Sequence, residues 1–105
     1  MTCVTLVKSR TGHNLSFKAE GHAGFGIKGE DIVCSAVSTL CRTALEVLDS
    51  SSGIKLETDV SRRGFISFAA GIDKADALLV QKLTTIGEVL EKGFMMIQEQ
   101  YPDNL

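Results

Sequence analysis

His22 and Cys34 are the two residues of this sequence whose types and spacing fit a catalytic pair. The stretch that holds them, residues 20–34, reads EGHAGFGIKGEDIVC, so twelve positions separate the two. A cysteine thiolate is a strong nucleophile, and an imidazole with a pKa near about 6.5 takes and gives a proton near neutrality. The glycines between them give the backbone the freedom to fold the histidine back towards the cysteine. Together these residues indicate nucleophilic attack on an amide.

Asp31 is the residue that we expect to begin the helix carrying Cys34, because its short carboxylate is a preferred N-cap. Cys34 then lies at about the third helical position, where the free N–H groups favour a thiolate and bind a developing oxyanion. Ser38 follows one turn later on the same face and can hydrogen-bond within the site or line it. Asp31 can instead orient His22, and the sequence does not choose between these two roles.

The alternative for the same stretch is an ordinary buried cysteine beside a flexible connector. Cysteine is among the most buried residue types, and we expect Cys3 and Cys41 to be packing residues for that reason. The glycines match neither the GxGxxG nor the GxxxxGK[ST] pattern of phosphate-binding loops. From the residues alone, the catalytic pair and the core cysteine both remain open.

Alternating apolar and polar residues predict two β-hairpins that hold this stretch in place. The first comprises residues 3–8 and 14–21, and the second comprises residues 54–60 and 65–71. Apolar residues at spacings of three and four predict a helix from Asp31 to about Leu48 and another from Lys74 to about Gln100. The order ββαββα indicates an α+β fold, with two helices packed on a mainly antiparallel four-stranded sheet.

Composition narrows the class of protein. The 105 residues are 44% hydrophobic and 23% charged, which is typical of one globular domain spanning residues 1–105. A net charge of −2 argues against nucleic acid as the main partner. We expect a cytoplasmic protein without a membrane partner, since no apolar stretch nears about 18 residues and no secretion signal is evident. The three cysteines lack metal-type pairing, so we expect no structural metal and no cofactor.

The sequence GHA at 21–23, followed by GEDIVCSAVS at 29–38, resembles the signature of the ribosomal-processing cysteine proteases, the Prp family. The length and the ββαββα order are also similar to that family. The resemblance implies a bacterial cytoplasmic endopeptidase, needed for ribosome assembly, that removes the N-terminal extension of the twenty-seventh large-subunit ribosomal protein. It implies cutting after a pair of phenylalanines and before a small residue, and a homodimeric enzyme.

Carried onto this chain, the resemblance makes Cys34 the nucleophile and His22 the general base and acid. Gly21, Ala23, Asp31 and Ser38 match supporting or substrate-binding positions. One departure is the serine at position 35, where many relatives have alanine.

Two other classes of function compete with a protease. The first is a non-catalytic ribosome-assembly factor that binds RNA or a peptide through the glycine stretch, with SRRG at 61–64 as its basic spot. The second is a thiol redox or metal-binding protein, which is weakly supported because the sequence has no CxxC pair.

Overall fold

Four strands and two helices follow one another in the order ββαββα, as the sequence predicted. The computed structural model describes residues 2–21, 28–60, 65–73, 76–102 and 105, with the main chain alone described for residues 28–31. The elements are β1 (Thr2–Lys8), β2 (Asn14–Gly21), α1 (Lys28–Asp49), β3 (Ile54–Asp59), β4 (Phe65–Ile72) and α2 (Ala77–Gln100). The basic SRRG stretch at 61–64 lies outside the described residues.

The strands form one sheet in the order β1-β2-β4-β3, and all three neighbouring pairs are antiparallel. Each predicted hairpin is present, and β2 joins them by pairing with β4. The α+β prediction with an antiparallel four-stranded sheet is therefore confirmed. The sheet order places β1 at one edge, next to the strand that ends at Gly21.

The core lies between the sheet and the two helices. Alternation along β2 buries Leu15, Phe17 and Ala19, because side chains two residues apart share one face of a strand. The Phe17 ring stacks on Phe68 at 5.6 Å between centroids and on Phe94 at 5.1 Å. These stacked rings join the two central strands to α2.

Helix α2 begins where a side chain caps it. Asp76 Oδ1 accepts hydrogen bonds from the N–H groups of Leu78 and Leu79 at 2.9 and 3.3 Å, which satisfies two free donors of the first turn. The helix therefore starts at Ala77, three residues after the predicted start at Lys74. Among the described residues, no helix is long and apolar enough to cross a membrane.

The two helices approach each other closely at a glycine. A Cβ atom built on Gly93 of α2 would lie 2.4 Å from Leu40 Cδ2 of α1. Leu40 packs against the core while remaining partly exposed. The absence of a side chain at residue 93 is what lets Leu40 occupy this position.

Candidate active site

Cys34 lies at the border between the buried face and the exposed face of α1. Its neighbours Val33 and Val37 are 0% and 2% exposed, whereas Cys34 itself is half-buried. Val33, Val37, Cys41, Ala44 and Leu48 form the apolar stripe that packs on the sheet. The Cys34 side chain is therefore held by the core on one side and remains partly accessible on the other.

Thr2 of β1 provides a polar contact to this thiol. Its Oγ1 lies 3.4 Å from Cys34 Sγ, a contact between residues 32 positions apart in the sequence. Thr2 is 5% exposed and is the one buried polar residue among those the structure describes. A buried hydroxyl is normally hydrogen-bonded, so the contact satisfies a group that would otherwise be costly to bury.

Gly21 ends β2 beside this contact. It pairs with Thr2 across the β1–β2 ladder. Its φ of 139° is in the range that glycine adopts and that residues with a Cβ rarely adopt. Gly21, which was predicted as a supporting or substrate-binding position, therefore lies at the end of the sheet where Thr2 contacts Cys34. The next two predicted site residues, His22 and Ala23, lie outside the described residues.

The prediction that Asp31 caps helix α1 is wrong. The helix begins at Lys28, so Asp31 lies inside its first turn and Cys34 is the seventh helical residue. Only the first four N–H groups of a helix lack an intrahelical partner, and the dipole effect falls off within the first turn. Cys34 lies beyond that turn, so the expected activation of its thiol by the helix start loses its basis.

Ser38 lies one turn beyond Cys34 on the same face, as predicted, and is half-buried. The structure describes four positions of the candidate site in full: Thr2, Gly21, Cys34 and Ser38. The contact between Thr2 and Cys34 links β1 to α1.

Comparison with known proteins assigns a family to this arrangement. The family model described as "Cysteine protease Prp" matches residues 1–105. The chain belongs to the cysteine protease Prp family. Among curated proteins, it is 27% identical over 105 residues to "Ribosomal processing cysteine protease Prp" of Bacillus subtilis (strain 168), covering 100% of this chain and 94% of that protein.

Two solved structures resemble this Prp-family chain in fold. The crystal structure of SMU.848 from Streptococcus mutans is 27% identical with a TM-score of 0.69, covering 98% of this chain and 88% of that one. The second is an essential ribosomal processing protease Prp from S. aureus, in complex with a covalently linked product peptide. It is 21% identical with a TM-score of 0.68, covering 99% and 94% of the two chains. The second likeness concerns the fold alone.

The other two cysteines of the Prp-family chain differ from Cys34 in their surroundings. Cys41 is fully buried, as predicted, and burial raises the pKa of its thiol to about 12. Cys3 was expected to pack in the core, and this prediction is wrong because the residue is exposed. Cys3 lies on the face of β1 opposite to Thr2, Val4 and Leu6, whose side chains face the helices.

Two apolar grooves lie on the Prp-family fold near these residues. One of about 400 Å³ runs between β1 and α2 and is lined by Thr2, Cys3, Val4, Leu6, Glu91, Phe94, Met95, Gln98 and Leu105. The other, of about 820 Å³, lies between α1 and α2, with Ser35 and Met96 on its walls. We call them the β1–α2 groove and the interhelical groove. Thr2 belongs to the first groove and also contacts the thiol.

The described residues contain no group of three or more His, Cys, Asp and Glu side chains that could hold a metal ion. Thr2 is the site residue that sequence reasoning missed. The sequence signal for Thr2 is the alternation along β1. Residues 2, 4 and 6 share one face of the strand, and Val4 and Leu6 are apolar, so residue 2 also faces the helices.

Proposed function

We propose that this Prp-family chain is a bacterial cytoplasmic endopeptidase that removes the N-terminal extension of the twenty-seventh large-subunit ribosomal protein, in a single domain spanning residues 1–105. It cuts after an aromatic pair, and ribosome assembly needs the shortened product. The family match over residues 1–105 and the curated relative named as a ribosomal processing cysteine protease support this proposal.

The observation that carries the proposal is the contact of Thr2 with Cys34 at the sheet end where β2 stops. Thr2 Oγ1 lies 3.4 Å from the sulfur, and the Thr2 main chain pairs with Gly21. His22 follows Gly21 directly in the sequence, and consecutive Cα atoms are about 3.8 Å apart. The strand end that leads to His22 and the contact of Thr2 with Cys34 therefore lie at the same end of the sheet.

In the proposed reaction, His22 takes the thiol proton of Cys34, and Sγ attacks the carbonyl carbon of the scissile bond, forming a C–S bond as the carbonyl π electrons move onto the oxygen. His22 then donates a proton to the leaving nitrogen as the C–N bond breaks, which leaves a thioester on Cys34. Water, deprotonated by His22, attacks the thioester and releases the acid and the thiol. Asp31 orients the His22 ring, and Ser38 borders the sulfur from one turn below.

The β1–α2 groove is where we place the aromatic side chains of the substrate. Its wall includes Thr2, which contacts the nucleophile, so a peptide whose side chains enter the groove has its main chain close to Cys34. Phe94, Met95 and Leu6 give it the apolar surface that aromatic rings need. Gly21 and Ala23 border the peptide from the β2 side.

The chain also acts as a homodimer in this proposal. A domain of this size buries a smaller fraction of its surface than a larger domain does, and Ile32 and Val89 remain 47% and 55% exposed on the helices. Sedimentation equilibrium is expected to give twice the mass of the 105-residue chain, and a single-chain mass would contradict the dimer.

Incubation of the purified protein with the extended ribosomal protein tests the proposed function. Mass spectrometry is expected to find a product that begins after two aromatic residues, and His22→Ala is expected to abolish it. Binding of the extended protein or of ribosomal RNA without any cutting, with an affinity that falls steeply with salt, would instead identify a non-catalytic assembly factor.

A further inference from the structure

We propose that Thr2 is a positioning residue, whose hydroxyl holds the Cys34 sulfur in place and stabilises it as a thiolate. This inference rests on the proposed function, in which Cys34 is the nucleophile. It replaces the helix start as the local source of thiol activation, since Cys34 is the seventh residue of α1.

The geometry around Thr2 favours a fixed hydroxyl. The side chain is 5% exposed, and Cys34 Sγ at 3.4 Å is the hydrogen-bond partner of its Oγ1 among the described residues. Threonine is restricted at χ1, and pairing of Thr2 with Gly21 fixes the main chain that carries it. These restraints hold the hydroxyl in a defined position relative to the Cys34 sulfur.

The direction of the hydrogen bond follows from the chemistry of the sulfur. In the resting thiol, either atom is able to donate the proton. Once Cys34 has given its proton to the base, the sulfur has none left, so the Thr2 hydroxyl is the donor in this hydrogen bond. A hydrogen bond to an ionised acceptor is stronger than one between neutral groups, so the contact with Thr2 becomes stronger when Cys34 gives its proton to the base.

Stabilising the thiolate also lowers the intrinsic reactivity of the sulfur, and the two effects must be compared. In thiol–disulfide exchange the nucleophilicity of thiolates falls with a Brønsted coefficient of about 0.4–0.5, so the lost reactivity offsets about half of the free energy by which a hydrogen bond favours the thiolate. The net effect of the hydroxyl is therefore a faster attack. Because it is the hydroxyl of Thr2 that contacts the sulfur, its removal by a residue that keeps the shape of the groove wall is expected to change kcat more than KM.

Thr2→Val tests the proposal, because valine keeps the shape of threonine and removes the hydroxyl. We expect kcat for the extended ribosomal protein to fall about tenfold, with KM changing less than about twofold. Thr2→Ser, which restores a hydroxyl, is expected to recover most of the loss. Thr5→Val is the matched control, since Thr5 lies on the same strand, is exposed and does not line the β1–α2 groove.

Alkylation of Cys34 by iodoacetamide gives a second readout that does not depend on cutting. Peptide mass spectrometry separates Cys34 from the exposed Cys3, and the rate at Cys34 is expected to fall several-fold in Thr2→Val and to be normal in Thr2→Ser and Thr5→Val. A thermal scan of each variant shows that it is folded. Should Thr2→Val not fold, Thr2→Ser and Thr2→Ala make the same comparison.

Two results separate this inference from the proposed function. If the wild-type protein cuts its substrate and Thr2→Val matches it in kcat and in alkylation rate, the role of Thr2 is wrong and the protease stands. If the wild-type protein does not cut, the proposed function is wrong, and the alkylation rates still decide whether Thr2 tunes the sulfur. Equal losses in Thr2→Val and Thr2→Ser would show a packing role and overturn the inference.

Discussion

Gly21 lies directly opposite Thr2 in the antiparallel pair of β1 and β2, with a φ of 139°. The main chain continues from this glycine to His22 in the sequence, and Thr2 contacts Cys34. The hairpin end thus connects the two segments that carry the proposed catalytic residues.

Gly21→Ala is expected to impair cutting more than it impairs folding. A Cβ at a φ of 139° strains the backbone, which costs about 1–3 kcal/mol and turns the following residue away from its path. We expect kcat/KM to fall more than tenfold in a cleavage assay. Gly71→Ala is the matched control, because Gly71 lies in β4 and is not among the described glycines with positive φ. Equal activity of the two variants would contradict this role of Gly21.

Met95 and Met96 provide an adjacent pair that tests where the aromatic side chains bind. Both are exposed, at 49% and 62%, but Met95 lines the β1–α2 groove and Met96 lines the interhelical groove. Met95→Ala removes apolar contact surface, and at about 0.8 kcal/mol per buried CH₂ we expect KM to rise about fivefold. Met96→Ala is expected to leave KM unchanged. The reverse result would place the substrate between the helices.

Sequence reasoning succeeded where local pattern determines structure. Residues 14–21 were predicted as a strand and form β2 with those bounds, because Leu15, Phe17 and Ala19 alternate with polar residues. The start of α1 was placed at Asp31 because aspartate is a good N-cap residue. The helix nevertheless begins at Lys28.

The parts that the sequence did not reveal depend on distant contacts. Two hairpins can join in several ways, so the pairing of β2 with β4 was not readable from either hairpin. The contact between Thr2 and Cys34 spans 32 positions and follows from how α1 packs across the sheet. Cys34 and Cys41 lie one heptad apart, and their different burial comes from the same packing.

Cys41 makes stability depend on alkaline pH. Burial raises its pKa from 9.0 to about 12, so between these values the unfolded chain loses the thiol proton and the folded chain keeps it. Stability contributed by Cys41 is thus complete below pH 9 and declines as pH rises towards 12. Urea unfolding in reducing buffer from pH 7 to 10.5 is expected to show a steeper decline for wild type than for Cys41→Ala. Parallel curves would show that Cys41 is not buried.

Gly93→Ala tests the close approach of the helices. The new Cβ would clash with Leu40 Cδ2, the end of a flexible side chain, so Leu40 must turn away from its packed position. Alanine gains up to about 1 kcal/mol over glycine in helix propensity, and the lost packing of Leu40 offsets that gain. In a Leu40→Ala background the obstacle is gone, so Gly93→Ala is expected to raise the free energy of unfolding more than it does in the wild type. An equal change in both backgrounds would contradict the contact.

Cleavage by two cysteine variants tests the central claim most directly. Cys34→Ala and Cys41→Ala each remove one thiol of α1, the first at the proposed nucleophile and the second in the core. With the extended ribosomal protein as substrate, we predict that folded Cys41→Ala produces the shortened product at the wild-type rate. Cys34→Ala is predicted to produce none while remaining folded. Cutting by Cys34→Ala at the wild-type rate would show that this sulfur is not the nucleophile.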